Sequence, residues 1–311
     1  MNYPIFFDSK NSLNLFGLKE NFKFISSLYR KCNLPKVTML TGIKGTGKAT
    51  LVNHFLFSIF DEKNYDTENY SLLGTSSLYN QLKNDTFSNI IYIKGFNNKA
   101  VKVEDIRSLK SKIFQSTILN KDRFIVLDDI ELFNTNSLNA LLKVIEEPSK
   151  NNYFFLINNK SKPLLETIKS RALEIKIILS ESQRLEIINN LISFFDIEQL
   201  LDPKLSKLSP GNFLKFNHMF KEHNISLAND CVENLSLLLN LYKKNKDILL
   251  INIAFFIAEF YFKDLIDKNI YRRDKIYEIK NFIFKNLNNF LLYNINQNAL
   301  INAITNKLNH D

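Results

Sequence analysis

The chain contains little glycine, proline or cysteine and no tryptophan. Its 311 residues include 7 glycines, 6 prolines and 2 cysteines. Cys32 and Cys231 are far apart in the sequence and do not have the spacing of metal ligands. This scarcity excludes a cysteine-based zinc module and a disulfide framework, and it predicts a reducing environment and no metal centre.

Long hydrophobic runs are also missing. The most apolar segment, Ile248 to Phe262, is interrupted by Asn252 and Glu259 and falls short of the ~20 apolar residues that a membrane-spanning helix requires. The first ten residues, MNYPIFFDSK, lack the basic start and apolar core of a secretory signal. Together these absences predict a cytoplasmic protein.

Positive charge is in excess, with 41 Lys and Arg against 32 Asp and Glu and a net charge of +9. The basic residues are spread along the chain and form no terminal arm, so the charge alone does not identify a partner. Direct binding of nucleic acid is one alternative, with Arg272, Arg273 and Lys275 as the candidate cluster. Steeply salt-dependent affinity for DNA would support it.

Three of the few glycines fall in one segment, TGIKGTGKAT at residues 41 to 50. Gly42, Gly47 and Lys48 match the spacing of a phosphate-binding loop, Gly45 adds a permissive position, and the apolar run Val37 to Leu40 is the strand that must precede such a loop. Backbone N–H groups, the lysine and the positive end of the following helix would together bind phosphate oxygens. The segment predicts a nucleotide-type site.

The next position departs from the loop pattern. Ala49 stands where a Ser or Thr hydroxyl would ligate Mg²⁺. Thr50 follows, but one residue along a helix is a rotation of roughly 100°, so we expect its hydroxyl to face elsewhere. The sequence therefore predicts impaired metal-assisted phosphoryl transfer.

Strand-like and helical patterns alternate from residue 37 to about residue 178. This alternation predicts an α/β fold in which helices cover a parallel sheet. A polar stretch from Asp61 to Ser88 predicts a short helix with mobile loops. The predicted strands are Val37 to Thr41, Asn89 to Lys94, Phe124 to Asp128, Tyr153 to Asn158 and Leu173 to Ile178.

The pattern becomes helical after residue 180. Ser180 with Gln183 predicts a capping box, and Ser209 with Pro210 predicts a second helix start. We therefore predict an α/β nucleotide-binding-type domain at 1–179, a helical lid at 180–224 and an all-α C-terminal domain at 225–311.

An acidic pair, Asp128 and Asp129, ends the strand that begins at Phe124. The carboxyl end of such a strand is where an α/β nucleotide fold places its metal-side carboxylate. In the alternative reading, the two aspartates solvate a strand end or cap the next turn.

The segment NALLKVIEEP at residues 139 to 148 resembles a signature of bacterial clamp-loader subunits of the AAA+ superfamily. That resemblance implies an AAA+ fold with a helical lid and a C-terminal collar that joins subunits into a ring. Asn158, at the next strand end, would be the sensor 1 residue. Ser170 and Arg171 resemble the Ser-Arg-Cys motif of that family, with Ala172 in place of cysteine. Arg171 would then be an arginine finger that acts in trans.

Further departures distinguish this chain from the motor subunits tau and gamma. Asp129 replaces a glutamate, the cysteines of the zinc module are missing, and the segment from Ser209 to Phe213 has no sensor 2 arginine. The remaining pattern resembles the delta-prime family. The resemblance implies tau/gamma and delta as partners, and the sliding clamp and primed DNA as partners through the complex. It also implies little or no ATPase activity.

Two questions stay open at the level of sequence. A subunit with little or no ATPase activity requires no cofactor. The glycines and Lys48 need no hydroxyl to hold phosphates, however, so residual binding of ATP or ADP without hydrolysis is compatible with the loop. The leading alternative is an active, tau/gamma-like ATPase that tolerates Ala49 and Asp129. Hydrolysis by the purified chain that Lys48→Ala abolishes would support that alternative.

Overall fold

The computed structural model describes residues 3–4, 7–95, 101–113, 121–268, 273–293 and 295–309. The chain divides into two compact units. The first unit comprises residues 2–199 and 203–215, and the second comprises Met1, residues 200–202 and residues 216–311. The predicted lid, 180–224, is thus split between the two units, and the division into three domains stays a prediction. Arg272 lies outside the described residues.

A parallel five-stranded sheet forms the centre of the first unit, as predicted. Its strands are β1 (Val37–Thr41), β4 (Ile90–Lys94), β5 (Arg123–Asp128), β6 (Asn152–Asn158) and β7 (Leu173–Lys176). They lie in the order β4-β5-β6-β1-β7, and every pair of neighbours is parallel. This order places the strand before the phosphate loop beside the strand that ends at residue 158.

The sequence predicts the central strands correctly because most of their residues are apolar on both faces of the sheet. All residues of β1 and β5 are buried, as expected for strands covered by helices on both sides. Alternate side chains enter two separate cores: Leu40 lies in one and Met39 in the other. At the sheet edge, β7 has mostly exposed residues and ends at Lys176 rather than at the predicted Ile178.

Eight helices of the described residues lie wholly in the first unit, and a ninth, α9, begins there. The predicted capping box at the start of α7 is present: the Ser180 Oγ accepts from the Gln183 N–H, and the Gln183 side chain accepts from the Ser180 N–H. The bounds are α1 (Lys19–Arg30), α2 (Lys48–Phe60), α3 (Ser77–Lys83), α4 (Val103–Ile113), α5 (Thr135–Ile145), α6 (Glu166–Lys169), α7 (Glu181–Phe195), α8 (Pro203–Ser206) and α9 (Pro210–Glu222).

The polar stretch from residue 61 to residue 88 contains more structure than predicted. The short helix is present as α3, but two short strands, β2 (Tyr65–Asp66) and β3 (Ser71–Leu72), precede it as an antiparallel pair. Strands of two residues show no readable alternation, so the sequence did not indicate them. Tyr65 and Leu72 are buried in the core.

The described residues of the second unit form helices and connecting loops and no strands, as predicted for the C-terminal region. Helix α10 (Cys231–Asn245) packs against α11 (Ile248–Asp267) and α13 (Gln297–Asn309), and α12 (Arg273–Tyr293) also packs against α11 and α13. The apolar runs that predicted helices here form the buried sides of the four helices. Among the described residues, none of the helices has the length and apolar character needed to cross a membrane.

Candidate functional site

The predicted phosphate loop connects β1 to α2. Gly47 caps the helix in the left-handed conformation with φ of 89°, and Gly45 has φ of 87°. Only glycine adopts these angles without strain, so the two residues allow the loop to curve around the start of the helix. The Gly42 N–H donates to the Asn158 carbonyl at 3.2 Å, which ties the loop to the neighbouring strand.

Lys48 is buried and folds back onto its own loop. Burial lowers its pKa from 10.5 to about 8, although the negative charges of Asp128, Glu131 and Asp129 act in the opposite direction. Oxygens of the loop itself surround the ammonium group. Its Nζ donates to Gly42 O at 2.8 Å, Ile43 O at 2.7 Å and Thr46 Oγ1 at 3.3 Å.

The acidic pair lies beside the loop, and lysines neutralise both of its members. Lys94 Nζ lies 3.5 Å from Asp128 Oδ2, and Lys44 Nζ lies 2.9 Å from Asp129 Oδ1. Burial raises the pKa of Asp128, while the charge of Lys94 counteracts that rise. Asp129 has a left-handed backbone with φ of 53°, and such strained positions cluster at functional sites.

Asn159, not the predicted Asn158, contacts the acidic pair. Asn159 Nδ2 donates to Asp129 Oδ1 at 2.7 Å, and Asn159 lines the cavity beside the loop. The Asn158 side chain accepts from the Lys160 N–H at 2.9 Å and is not part of the cavity wall. Asn159 follows the last residue of β6, so its side chain is placed by the loop that leaves the strand. The role of Asn158 stays a prediction.

Ala49 and Thr50 both line the cavity. Thr50 thus borders the cavity, and the direction of its hydroxyl stays a prediction. Ala49 also packs against the core of the first unit. No hydroxyl is available at the position where the loop pattern requires one.

Helix α9 begins against the phosphate loop. The Ser209 Oγ donates to the Lys44 carbonyl at 2.6 Å, and the Gly211 N–H donates to the Gly45 carbonyl at 2.8 Å. The approach is close: a Cβ on Gly45 would lie 2.4 Å from the Ser209 Oγ. Sequence reasoning identified this helix start but missed the contact. The glycine at residue 211, a rare residue type in this chain, is the feature of the sequence that could have indicated this close contact.

Ser170 and Arg171 lie outside this cavity. They follow α6, and the Ser170 Oγ donates to the Thr167 carbonyl at 3.2 Å. Arg171 Nη1 donates to the same carbonyl at 2.9 Å, and its Nη2 pairs with Glu146 Oε1 at 2.7 Å. The side chains of Arg171 and Glu146 are 37% and 46% exposed. The guanidinium is therefore presented at the surface and not to the phosphate loop of its own chain.

The relatives of the chain are subunits of a replicative polymerase. Residues 17–180, more than half of the chain, match the family model described as DNA polymerase III, delta subunit. DNA polymerase III subunit gamma from Buchnera aphidicola subsp. Schizaphis graminum is 25% identical over 250 residues, which cover 74% of this chain and 65% of the relative.

Two delta' subunits match over shorter segments. The delta' subunit of Pseudomonas aeruginosa is 37% identical over 76 residues, covering 24% of this chain and 23% of the relative. That of the same Buchnera strain is 31% identical over 114 residues, covering 36% and 35%. The chain spans less than two thirds of the length of each of these relatives. The chain belongs to the family described as DNA polymerase III, delta subunit, within the clamp-loader AAA+ proteins, which confirms the resemblance predicted from its sequence.

Proposed function

We propose that this chain is a delta-prime-type clamp-loader subunit that supplies Arg171 to ATP bound by an adjacent subunit and hydrolyses little or no ATP itself. The observation that carries the proposal is the placement of charge in the first unit. Its acidic pair is neutralised by Lys44 and Lys94, whereas Arg171 is exposed outside the cavity.

The chemistry of the cavity supports the absence of hydrolysis. A general base must lie within hydrogen-bond reach of the attacking water and must have a free lone pair to accept its proton. One oxygen of Asp129 already accepts from Lys44 and Asn159, and Ala49 cannot ligate a metal. Both features oppose the activation of water beside the loop.

The chemistry of Arg171 supports a role in trans. A guanidinium keeps its charge at every physiological pH and presents planar donors that match phosphate oxygens. In this chain Glu146 and the Thr167 carbonyl hold the guanidinium. A partially exposed pair of this kind contributes little to stability, so the guanidinium can exchange Glu146 for the phosphate of a neighbouring subunit at low energetic cost.

The remaining parts of the proposal concern the assembly. The partners are tau/gamma and delta, and the assembled complex loads the sliding clamp onto primed DNA in the cytoplasm. Residues 180–224 would act as a lid, and residues 225–311 as the collar that joins the ring. The subunit needs no cofactor for this role, and ATP or ADP bound by its own loop would not be hydrolysed.

Reconstitution with Arg171→Ala tests the proposal. ATP turnover by the complex, stimulated by clamp and DNA, should fall, whereas Arg107→Ala, on the exposed face of α4, should leave it unchanged. Lys48→Ala should also leave turnover nearly intact, because the site that hydrolyses ATP belongs to a neighbour. Full turnover with Arg171→Ala would show that the assigned role is wrong.

An active tau/gamma-like ATPase is the second candidate. It is favoured by the gamma relative, whose match covers 74% of this chain. This candidate predicts hydrolysis by the purified chain that Lys48→Ala abolishes.

A further inference from the structure

The cavity beside the phosphate loop has a surplus of positive charge. Among the described residues, two carboxylates, Asp128 and Asp129, and four lysines line it, and all of the described lining residues belong to the first unit. The lysines are Lys44, Lys48, Lys94 and Lys215.

Two of these lysines occupy the acidic pair. Mg²⁺ in phosphate sites is usually held by one or two carboxylates together with the phosphates. Here the ammonium groups of Lys44 and Lys94 lie 2.9 Å and 3.5 Å from those carboxylates. A divalent ion at the same oxygens would be repelled by both ammonium groups, and Ala49 offers it no hydroxyl. The residues present therefore do not fit the metal.

The other two lysines have no carboxylate partner among the described residues. Lys48 donates to backbone carbonyls and a hydroxyl, which do not cancel its charge. Lys215, on α9, is half-buried. Burial lowers its pKa, the positive charges of Lys94 and Lys44 lower it further, and Asp129 and Asp8 counteract this. An anion in the cavity would relieve the repulsion among these cations.

Glu131 is a buried carboxylate whose negative charge acts on Lys48 from outside the cavity wall. It accepts from the Ser161 Oγ at 2.7 Å and from the Asn159 N–H at 3.2 Å, and it thereby holds the loop after β6. The described wall itself carries more lysines than carboxylates, and this excess would stabilise an anion in the cavity.

We propose that this cavity binds a polyphosphate chain without a divalent metal, with Lys44 and Lys94 taking the place of the ion and Lys48 and Lys215 contacting the anion. Gly45 and Gly47 have the positive φ angles that let the loop curve around the start of α2. Nucleoside triphosphates and inorganic polyphosphate share this chemistry. The apolar part of the wall, which includes Ile187, Leu191 and Phe195, could contact the nucleobase of a nucleotide. This proposal does not depend on the role of Arg171.

Calorimetric titration of the full chain tests it, with ATP and inorganic triphosphate as probes, each in EDTA and in excess Mg²⁺. We expect both probes to bind in EDTA and Mg²⁺ not to strengthen binding. Tighter binding of ATP than of triphosphate would identify a nucleotide as the ligand, and equal binding would identify the polyphosphate chain alone. Binding that requires Mg²⁺, or no binding under either condition, would overturn the proposal.

Substitutions locate the site. Lys215→Gln should weaken binding in EDTA at least tenfold, and Lys215→Arg, which keeps the charge, should restore it. Lys143→Gln, on exposed α5, is the matched loss of one charge and should have no effect. An equal effect of Lys143→Gln and Lys215→Gln would show that only the net charge matters and would contradict the assignment. Thermal melts of each variant establish that it is folded.

Discussion

Two regions of the first unit differ in how their charged side chains are held. Inside the cavity, Asp128 and Asp129 are paired with lysines, and these contacts compete with the binding of a metal ion or of a water molecule at the same oxygens. At the surface, Arg171 contacts the exposed Glu146, the Thr167 carbonyl and, at 3.5 Å, the Ser170 Oγ. The carboxylates beside the phosphate loop and the exposed guanidinium of Arg171 are thus held by contacts of different kinds. Four substitutions test this difference.

Arg171→Lys should have the largest effect. Lysine keeps the charge but loses the planar fork that matches phosphate oxygens. Because fingers contribute about 10³ to 10⁵ in rate in GTPases, we expect ATP cleavage at the facing site to fall by about 10³. The rate of this cleavage can be measured in single-turnover experiments on a complex in which the other phosphate loops are inactivated. A rate close to that of the unsubstituted complex would mean that charge alone suffices.

Gly45→Ala should come next, and it acts at the contact between the phosphate loop and the start of α9. The new Cβ would lie 2.4 Å from the Ser209 Oγ and 2.9 Å from the Asn212 nitrogen, at a backbone φ of 87°. We expect a loss of about 1 to 3 kcal/mol in the free energy of unfolding, measured in urea. Gly74→Ala is the control, since its Cβ would meet only Leu13 at 3.4 Å. Equal losses in the two variants would contradict the close contact.

The protonation of Lys48 should make stability depend on pH. Its pKa is lowered from 10.5 to about 8 by burial, so between these pH values the unfolded chain binds more protons than the folded chain. The free energy of unfolding should therefore rise with pH across this window, by at most about 1.4 kcal/mol per pH unit from this group. Urea unfolding of the natural chain and of Lys48→Met at pH 7.5 and pH 9.5 isolates the contribution. An identical rise in both would exclude Lys48 as its source.

Glu146→Gln should have the smallest effect. The ion pair with Arg171 is partly exposed on both sides, and such pairs contribute about 0 to 1 kcal/mol. We expect a change in unfolding free energy within that range and an ATP turnover in the complex that changes far less than with Arg171→Ala. A loss of turnover as large as that of Arg171→Ala would mean that Glu146 is needed to position the guanidinium.

The sequence predicted those parts of the fold that depend on local patterns. Strands β1, β5 and β6 were readable because their residues are apolar on both faces, and the start of α7 was readable from its capping box. The strands β2 and β3 were missed because two residues carry no period. The end of β7 was placed two residues too far because an exposed edge strand has no buried pattern to mark its limit.

The candidate site was predicted only in part, because much of it consists of long-range contacts. The loop glycines, Lys48 and the acidic pair follow from spacing. Nothing in the spacing indicates that Lys44 meets Asp129 across 85 positions or that Ser209 meets the loop across 165 positions. The choice of Asn159 over Asn158 depends on how the chain leaves β6, which the pattern of apolar residues does not determine.

Phosphate release by the purified chain tests the central claim most directly. The chain should be incubated with saturating ATP and Mg²⁺, alone, beside the Lys48→Ala variant. Because Ala49 cannot ligate Mg²⁺ and Asp129 is already held by Lys44 and Asn159, we expect no release above that of the variant. Magnesium-dependent release that Lys48→Ala removes would contradict the account and would identify the chain as an ATPase in its own right.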